Sequence, residues 1–225
     1  MKSSTDRSIA RAILKRLRGR QVGSFTNSAD YWENRYRSGG NSGAGSYNRL
    51  AMFKAEILND YVVSNGINSV IEFGSGDGAQ LDLAKYPLYT GIDVSRTIIT
   101  AAKKRFSGKS NITFVHSSEL LKGVTADLAL SLDVIFHLVE DDVFDDYMRR
   151  LFAAANKSVV IYASNRDEHT PDPHVRHRMF TRWVEENQPD FELVRQIQNR
   201  YPYDAQDPDN TSFADFYFYE RRHVA

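Results

Sequence analysis

Apolar positions along the chain follow two rhythms. Leu50, Phe53, Ile57, Leu58 and Tyr61 are spaced by three, four, one and three residues, which marks one face of a helix. From Ser69 onward, short β-type runs alternate with helical segments. The runs are Ser69–Phe73, Leu88–Ile92, Ile112–Val115, Ala126–Leu132 and Ser158–Ala163, and the helices predicted between them are Ala79–Lys85, Ser95–Phe106 and Asp141–Ala155. In the last of these, Val143, Tyr147 and Leu151 with Phe144, Met148 and Phe152 form one stripe. This alternation predicts an α/β fold: a mostly parallel sheet with helices on both faces. A further helix, Val175–Glu186, is predicted before two alternating strands, Phe191–Ile197 and Phe213–Tyr219. With no helix between them, those two strands should pair antiparallel.

The front of the chain reads differently. Its first twenty residues carry seven cations against Asp6, with Ile9, Ile13 and Leu17 at helical spacing. Residues 1–28 are read as a basic arm, a frayed or packed helix in preference to a membrane- or partner-docking segment. Ala29–Arg37 follows as a helical turn or two. Ser38–Ser46, with four glycines and three serines in nine residues, is a loop of the kind that covers a ligand. The domain is placed at 29–225, with residues 29–66 as its helical and Gly/Ser cap. Composition narrows the classes. The 225 residues are 41% hydrophobic with 13 Phe, 12 Tyr and 2 Trp, so the chain can bury a full core. Lys plus Arg equals Asp plus Glu at 29 each, and no global field draws the chain onto nucleic acid. Zero cysteines exclude disulfides, thiolate zinc and a cysteine nucleophile, and suit a reducing, cytoplasmic address. No run is long and apolar enough for stable membrane insertion. Assembly of several copies stays open.

Val70-Ile-Glu-Phe-Gly-Ser-Gly-Asp-Gly-Ala79 leaves the first strand and enters the next predicted helix. Gly74 and Gly76 allow a tight turn and a close approach of backbone to ligand, and a helix N-terminus beyond them would offer N–H groups to an anion. Asp93 ends the next strand, nineteen residues after Gly74, where a carboxylate can accept from both ribose hydroxyls. Gly74, Gly76 and Ala79 also satisfy the dinucleotide fingerprint in its Gly/Ala form, so an NAD-dependent oxidoreductase stays open on the loop alone. Glu72 inside the strand, Gly78 after the loop, the helical segment ahead of the first strand and the closing antiparallel pair favour S-adenosylmethionine.

On these residues the chain resembles the class I S-adenosylmethionine-dependent methyltransferases over roughly residues 30–220. The resemblance implies a Rossmann-like seven-stranded, mostly parallel sheet with the last strand antiparallel. It implies that Gly74, Ser75 and Gly76 line the methionine part, that Asp93 holds the ribose and that Glu72 organises the loop. Tyr31-Trp-Glu-Asn-Arg-Tyr36, Ser42-Gly-Ala-Gly-Ser46 and Leu130–Leu138 resemble a group of small methyltransferases found with polysaccharide-building genes, sugar O-methyltransferases among them. On that likeness Tyr36 and Ser46 join the cofactor site. After the third strand, where an acid often meets the adenine, this chain has Ser117-Ser118-Glu119, and Ser118 and Glu119 are the expected substitutes.

Ligands of a parallel sheet gather at the carboxyl ends of its strands. Asp133 ends the fourth strand and His137 follows four residues on. An alcohol acceptor must lose its proton during attack, and His137 is the expected base, with Asp133 orienting it or the substrate. Asp133 with Asn165 offers a hard-oxygen pair for Mg²⁺. The acidic run from Glu140 to Asp146 is read as helix N-terminal charge and solvated surface. His174-Val-Arg-His-Arg178 is a candidate acceptor contact through His174, Arg176 and His177. The sequence therefore predicts methyl transfer from S-adenosylmethionine to a hydroxyl on a sugar or glycan. N-methylation, other small-molecule O-methylation, NAD-dependent oxidoreduction and an inactive cofactor-binding subunit are the alternatives.

Overall fold

The computed structural model describes residues 25–222, so of the basic arm read over residues 1–28 the first 24 residues lie outside the described residues. The first helix, α1 (Ser28–Arg37), starts where the Asn27 side chain accepts from the Asp30 N–H, and it carries Arg35 and Arg37 in its last turn. Helix α2 (Asn48–Ser64) buries Leu50, Phe53, Leu58 and Tyr61, the face read from their spacing. The alternation then delivers β1 (Val70–Phe73), β2 (Tyr89–Asp93), α3 (Arg96–Arg105), β3 (Ile112–His116), β4 (Ala126–Leu132), α4 (Asp141–Ala153) and β5 (Ala155–Ala163). A two-stranded hairpin of β6 (Glu168–His169) and β7 (Arg176–His177), helix α5 (Phe180–Asn187), β8 (Phe191–Ile197) and β9 (Asp215–Arg221) complete the described chain.

Seven strands form one sheet in the order β3-β2-β1-β4-β5-β9-β8. Strands β1 to β5 run parallel, and β9 runs antiparallel to both β5 and β8. The sheet is the Rossmann-like one expected. Side chains along a strand alternate between its faces, and the core divides accordingly. Leu128, Leu130, Val160 and Tyr162 join Phe53, Leu58, Ile99 and Phe114 on the face of α2 and α3, while Ala129, Val159 and Ile161 join Phe144, Met148, Phe152 and Phe180 on the face of α4 and α5. Strand β1 has β2 on one side and β4 on the other, so the chain reverses its winding there. A crevice opens at such a switch point, beyond the carboxyl ends of the strands.

Two expected helices differ. Over Ala79–Lys85 only a 3₁₀ turn forms, Gln80–Leu83. Asn59 of α2 takes the backbone groups a longer helix would have used: its Oδ1 accepts from the Lys85 N–H at 2.8 Å and its Nδ2 donates to the Leu83 carbonyl at 2.9 Å. The helix N-terminus anticipated as an anion site after the glycine loop is therefore not built. Over Val175–Glu186 the helix begins only at Phe180, because Arg176 and His177 pair with His169 and Glu168. The Met179 N–H is held by Asp167 Oδ1 at 2.9 Å. Among the described residues no helix is long and apolar enough to cross a membrane.

Candidate active site at the strand ends

At the end of β1 the backbone turns through Gly74, Gly76 and Gly78, all at positive φ (80°, 56° and 73°). The Gly74 and Ser75 N–H groups both donate to the Ile92 carbonyl, at 2.7 and 2.9 Å, which ties the loop to β2. Space is tight on both sides. A Cβ on Gly74 would sit 2.4 Å from Val134 Cγ2, and one on Gly76 would sit 2.3 Å from Ser42 Oγ. Asp93 closes the turn: Oδ2 accepts from the Gly76 N–H at 3.0 Å and Oδ1 from the Ser95 N–H at 2.9 Å. Burial pushes its pKa up to about 6, against the lowering effect of those amides. Glu72, buried in β1, accepts from the Tyr89 hydroxyl at 2.6 Å. Burial raises its pKa to about 7, while Tyr89 and Lys54 oppose the rise.

The Gly/Ser segment lies directly on this loop, and Asp77, which the sequence reading passed over, is the clasp. Asp77 Oδ2 accepts from the Ser42 N–H at 2.9 Å and from the Tyr47 hydroxyl at 2.6 Å, and the Asp77 N–H donates back to Ser42 Oγ at 2.9 Å. Tyr36 Oη lies 3.1 Å from Ser42 Oγ. Glu33 was missed as well. It accepts from Ser95 Oγ and Thr97 Oγ1 at 2.6 Å each, docking α1 on the start of α3, and these bonds hold its pKa down to about 2. Together α1, the Gly/Ser segment and the strand ends enclose a cavity of about 360 Å³.

Of the expected cofactor residues, Tyr36, Ser46, Glu72, Gly74, Ser75, Gly76 and Asp93 line this cavity. Ser118 and Glu119 do not; Arg96 engages both, with Nη1 donating to Glu119 at 2.8 Å and Nη2 to Ser118 at 3.2 Å. The wall at that point is Ser117 with Asp146 and Arg150, whose Nη2 donates to the Ser117 carbonyl at 2.8 Å.

Of the expected catalytic residues, His137 and Asp133 both line the cavity. His137 Nδ1 lies 3.0 Å from the His174 carbonyl. A carbonyl only accepts, so Nδ1 carries the proton and Nε2 keeps its lone pair. The ring stacks on His174 at 5.6 Å between centroids and meets Trp32 edge-on at 5.0 Å. Burial pushes its pKa down to about 4, so the imidazole is neutral at ordinary pH. Asp133 stands at φ 59° with its Oδ2 on Lys54 Nζ at 2.7 Å. Asn165 is tied to Thr181 instead: its Nδ2 donates to Thr181 Oγ1 at 3.0 Å and its Oδ1 accepts from the Thr181 N–H at 3.2 Å.

The oxygen pair expected for Mg²⁺ is therefore not assembled. An ammonium already occupies the Asp133 carboxylate, and no group of three or more His, Cys, Asp or Glu suited to a metal occurs among the described residues. The acceptor candidates also divide. His174 supplies its carbonyl to His137 and stacks on Tyr31 at 4.4 Å. Arg176 pairs with Asp141 at 2.8 Å, and buried His177 holds Ser164 Oγ at 2.6 Å. None of the three lines the cavity. Lys54 is the other residue missed. Its signal was a charge set within the apolar stripe, four residues after Leu50 and four before Leu58.

No family model matches the sequence, and no curated protein matches it. Solved structures do. N-methyltransferase NodS from Bradyrhizobium japonicum WM9, in complex with S-adenosyl-L-homocysteine, superposes with a TM-score of 0.64 at 16% identity over 88% of this chain and 100% of that one. Magnesium protoporphyrin IX methyltransferase (ChlM) from Synechocystis PCC 6803, with S-adenosylhomocysteine bound, gives 0.63 at 15% identity over 86% and 98%. The methyltransferase domain of bacterial CtHen1-C gives 0.58 at 19% over 75% and 96%. The chain thus has the fold that these S-adenosylmethionine-dependent methyltransferases share.

Proposed function

We propose that the chain binds S-adenosylmethionine and methylates a hydroxyl on a sugar or glycan, with residues 29–66 as the cap of the catalytic unit. The observation that carries the reading is a single cavity lined by both the Gly74–Gly76 turn with Asp93 and a neutral His137 whose Nε2 is unprotonated. The cavity suits the cofactor in other respects. Ser75 Oγ and Gln80 Oε1 are buried without a hydrogen-bond partner among the described residues, and both residues line it. Its wall carries six carboxyl groups (Glu72, Asp77, Asp93, Asp133, Asp142, Asp146) and two cations (Lys54, Arg150). That charge balance favours a cationic ligand over a pyrophosphate. Only a four-residue 3₁₀ turn follows the glycine loop, so no helix dipole compensates a dinucleotide's phosphates.

When bound, the cofactor supplies an electrophilic methyl group on a sulfonium. The chain's part is positioning and proton removal: Asp93 accepts from the ribose, the glycine turn admits the ligand's backbone-side approach, and His137 Nε2 takes the acceptor's proton. Trp32 gives the acceptor an apolar plane beside the base, of the kind a pyranose C–H face packs on. The sugar assignment rests on that plane and on the likeness of residues 31–36, 42–46 and 130–138 to the polysaccharide-associated methyltransferases. An amine is the competing acceptor, since NodS is an N-methyltransferase. Calorimetry with S-adenosylhomocysteine and with NAD tests the cofactor class; saturation by NAD alone overturns the reading. Transfer of labelled methyl to a panel of sugars and amines, with the product read as methoxy or N-methyl by NMR, tests the acceptor.

A further inference from the structure

Helix α1 brings one cation beside the cavity without giving it a carboxylate. Arg35 follows Trp32 by three residues and precedes Tyr36, and both of those line the cavity. Its side chain is partly buried and is held at three places. Nε donates to the Asn41 carbonyl at 2.7 Å. Gly40 covers the stem so closely that a Cβ there would sit 2.8 Å from Arg35 Cγ, and the Gly40 N–H donates to the Arg35 carbonyl at 2.9 Å. The guanidinium carbon lies 5.6 Å from the centroid of the Trp32 ring, the same ring that meets His137 at 5.0 Å. Beyond the Nε bond, neither Nη makes a hydrogen bond or an ion pair among the described residues. The acids of its own helix are spent elsewhere: Glu33 on Ser95 and Thr97, and Asp30 on the Asn27 side chain. Arg37, two residues on, pairs with Glu33 at 3.4 Å.

A guanidinium whose stem and Nε are already fixed has given up most of its freedom before a ligand arrives, and its two Nη groups form a ready fork for a pair of oxygens. We infer that Arg35 selects an acidic acceptor: a sugar bearing a carboxylate, whose two oxygens take Nη1 and Nη2 while the ring packs on Trp32 and a hydroxyl reaches His137 Nε2. The inference deepens the hydroxyl-methylation reading and rests on it. Because one indole touches both the cation and the base, the carboxylate and the reacting hydroxyl can belong to one sugar residue. The charge is felt at the base: after burial, Arg35 is among the influences that lower the pKa of His137 and of His174 beside it. The cavity wall already carries six carboxyl groups, so the single charge of a carboxylate suits this place better than the nearly double charge of a phosphate monoester. With both of its oxygens on the fork, the carboxylate is not the group that attacks, and the product is an ether beside a free acid.

The test is transfer of labelled methyl by the full chain to matched probes: methyl glucopyranoside, methyl galactopyranoside and methyl mannopyranoside, each beside its uronate and its 6-phosphate. In at least one set the uronate should have a kcat/KM at least tenfold above its neutral partner, with the difference in KM, and the advantage should shrink as salt is raised. Arg35→Met should bring the uronate's kcat/KM to that of the neutral sugar, while binding of S-adenosylhomocysteine, followed by calorimetry, shows that the variant is folded. Arg35→Lys keeps the charge and loses the fork, and it should retain only part of the preference. If the parent uses uronate and neutral sugar equally, if the 6-phosphate alone is preferred, or if Arg35→Met slows acidic and neutral sugars in the same proportion, the selection of a carboxylate is wrong and hydroxyl methylation stands without it. A base-labile methyl ester as the product overturns the carboxylate's place on the fork. If no sugar of any kind is methylated, the hydroxyl reading and this inference fall together.

Discussion

Replacing Asp93 with asparagine separates what the carboxylate does for the fold from what it does for the ligand. The group is buried, and its folded pKa of about 6 exceeds the value near 3.9 of an unfolded chain. Holding it ionised above pH 6 therefore costs the fold about 3 kcal/mol. Asparagine avoids that cost, but its amide turns a donor toward either the Gly76 or the Ser95 N–H, each of which now meets a carboxylate oxygen. One orphaned N–H costs about 1–3 kcal/mol. The two effects nearly cancel, so urea unfolding at pH 7.5 should place Asp93→Asn within about 1 kcal/mol of the parent. For the ligand nothing cancels. A charged acceptor of ribose hydroxyls becomes a neutral one, and S-adenosylhomocysteine should bind about 10- to 150-fold more weakly, from about 1.5–3 kcal/mol. The pH dependence carries the same signature. Between about pH 4 and 6 the folded chain holds a proton on Asp93 that the unfolded chain has released, so this group's contribution to stability is greatest below pH 4 and is lost as pH rises through 6. Over that interval the parent's ligand affinity should change the other way, falling as pH drops, and the asparagine variant should lack this group's share of both changes. An asparagine variant with the parent's affinity, or a parent affinity unchanged from pH 7 to pH 5, refutes the assignment of Asp93 to the ribose.

His137→Ala should leave S-adenosylhomocysteine affinity intact and lower turnover about a hundredfold or more, the share of a general base. Since burial holds His137 neutral down to about pH 4, the parent's kcat at saturation should not fall on acidification until that range, and a fall centred near 6.5 would contradict the buried geometry. Glu33→Gln should cost about 1 kcal/mol at pH 7 by weakening the charged bonds to Ser95 and Thr97. Because the folded Glu33 pKa is lowered to about 2, the gap between variant and parent should be full above about pH 4.3 and close as pH falls toward 2; equal urea midpoints at pH 7 would show that α1 docks without it. Chelator treatment should leave turnover unchanged, because Lys54 and Thr181 already take Asp133 and Asn165; restoration of a lost rate by added Mg²⁺ would overturn that.

The sheet was legible because its periodicities are local. Strands such as Ala126–Leu132 alternate faces within seven residues, and α2 shows its buried face in five positions. The glycine turn was legible for the same reason, with Gly74, Gly76 and Asp93 each required by backbone geometry or by position at a strand end. What escaped depends on contacts far along the chain. Asn59, on α2, ends the turn at residue 83 by taking backbone groups 24 and 26 residues away. Asp77 finds Ser42 across 35 residues, and Lys54 finds Asp133 across 79. Glu33 looked like any acid on an exposed helix until α3 was folded against it. The short β6–β7 pairing diverted Arg176 and His177 from the cavity in the same way, through a partner that periodicity does not show.

The two ends of the cavity impose opposite demands, and the fold meets them by keeping the demands apart. A wall with six carboxyl groups attracts a cation, and nearby negative charge also raises the pKa of a histidine. A protonated His137 could not accept a proton. The chain resolves this by packing His137 between Trp32, His174 and Phe136, with Arg35 and the other histidines adding positive influence, so that burial outweighs any carboxylate and the ring stays neutral. The consequence for chemistry is specific. A base held at about pKa 4 is far too weak to ionise an alcohol in advance. In the proposed O-methyl transfer the acceptor hydroxyl would attack still protonated, hydrogen-bonded to Nε2, and would become acidic only as its oxygen gains the methyl group while the methyl–sulfur bond breaks. On that proposal the proton would pass to Nε2 late in the transfer, when the oxygen's positive charge makes the step downhill. His137 would in this proposal be a positioned acceptor that orients the oxygen lone pair first and receives the proton second, and the Nδ1–H bond to the His174 carbonyl fixes the ring with its Nε2 lone pair free for both.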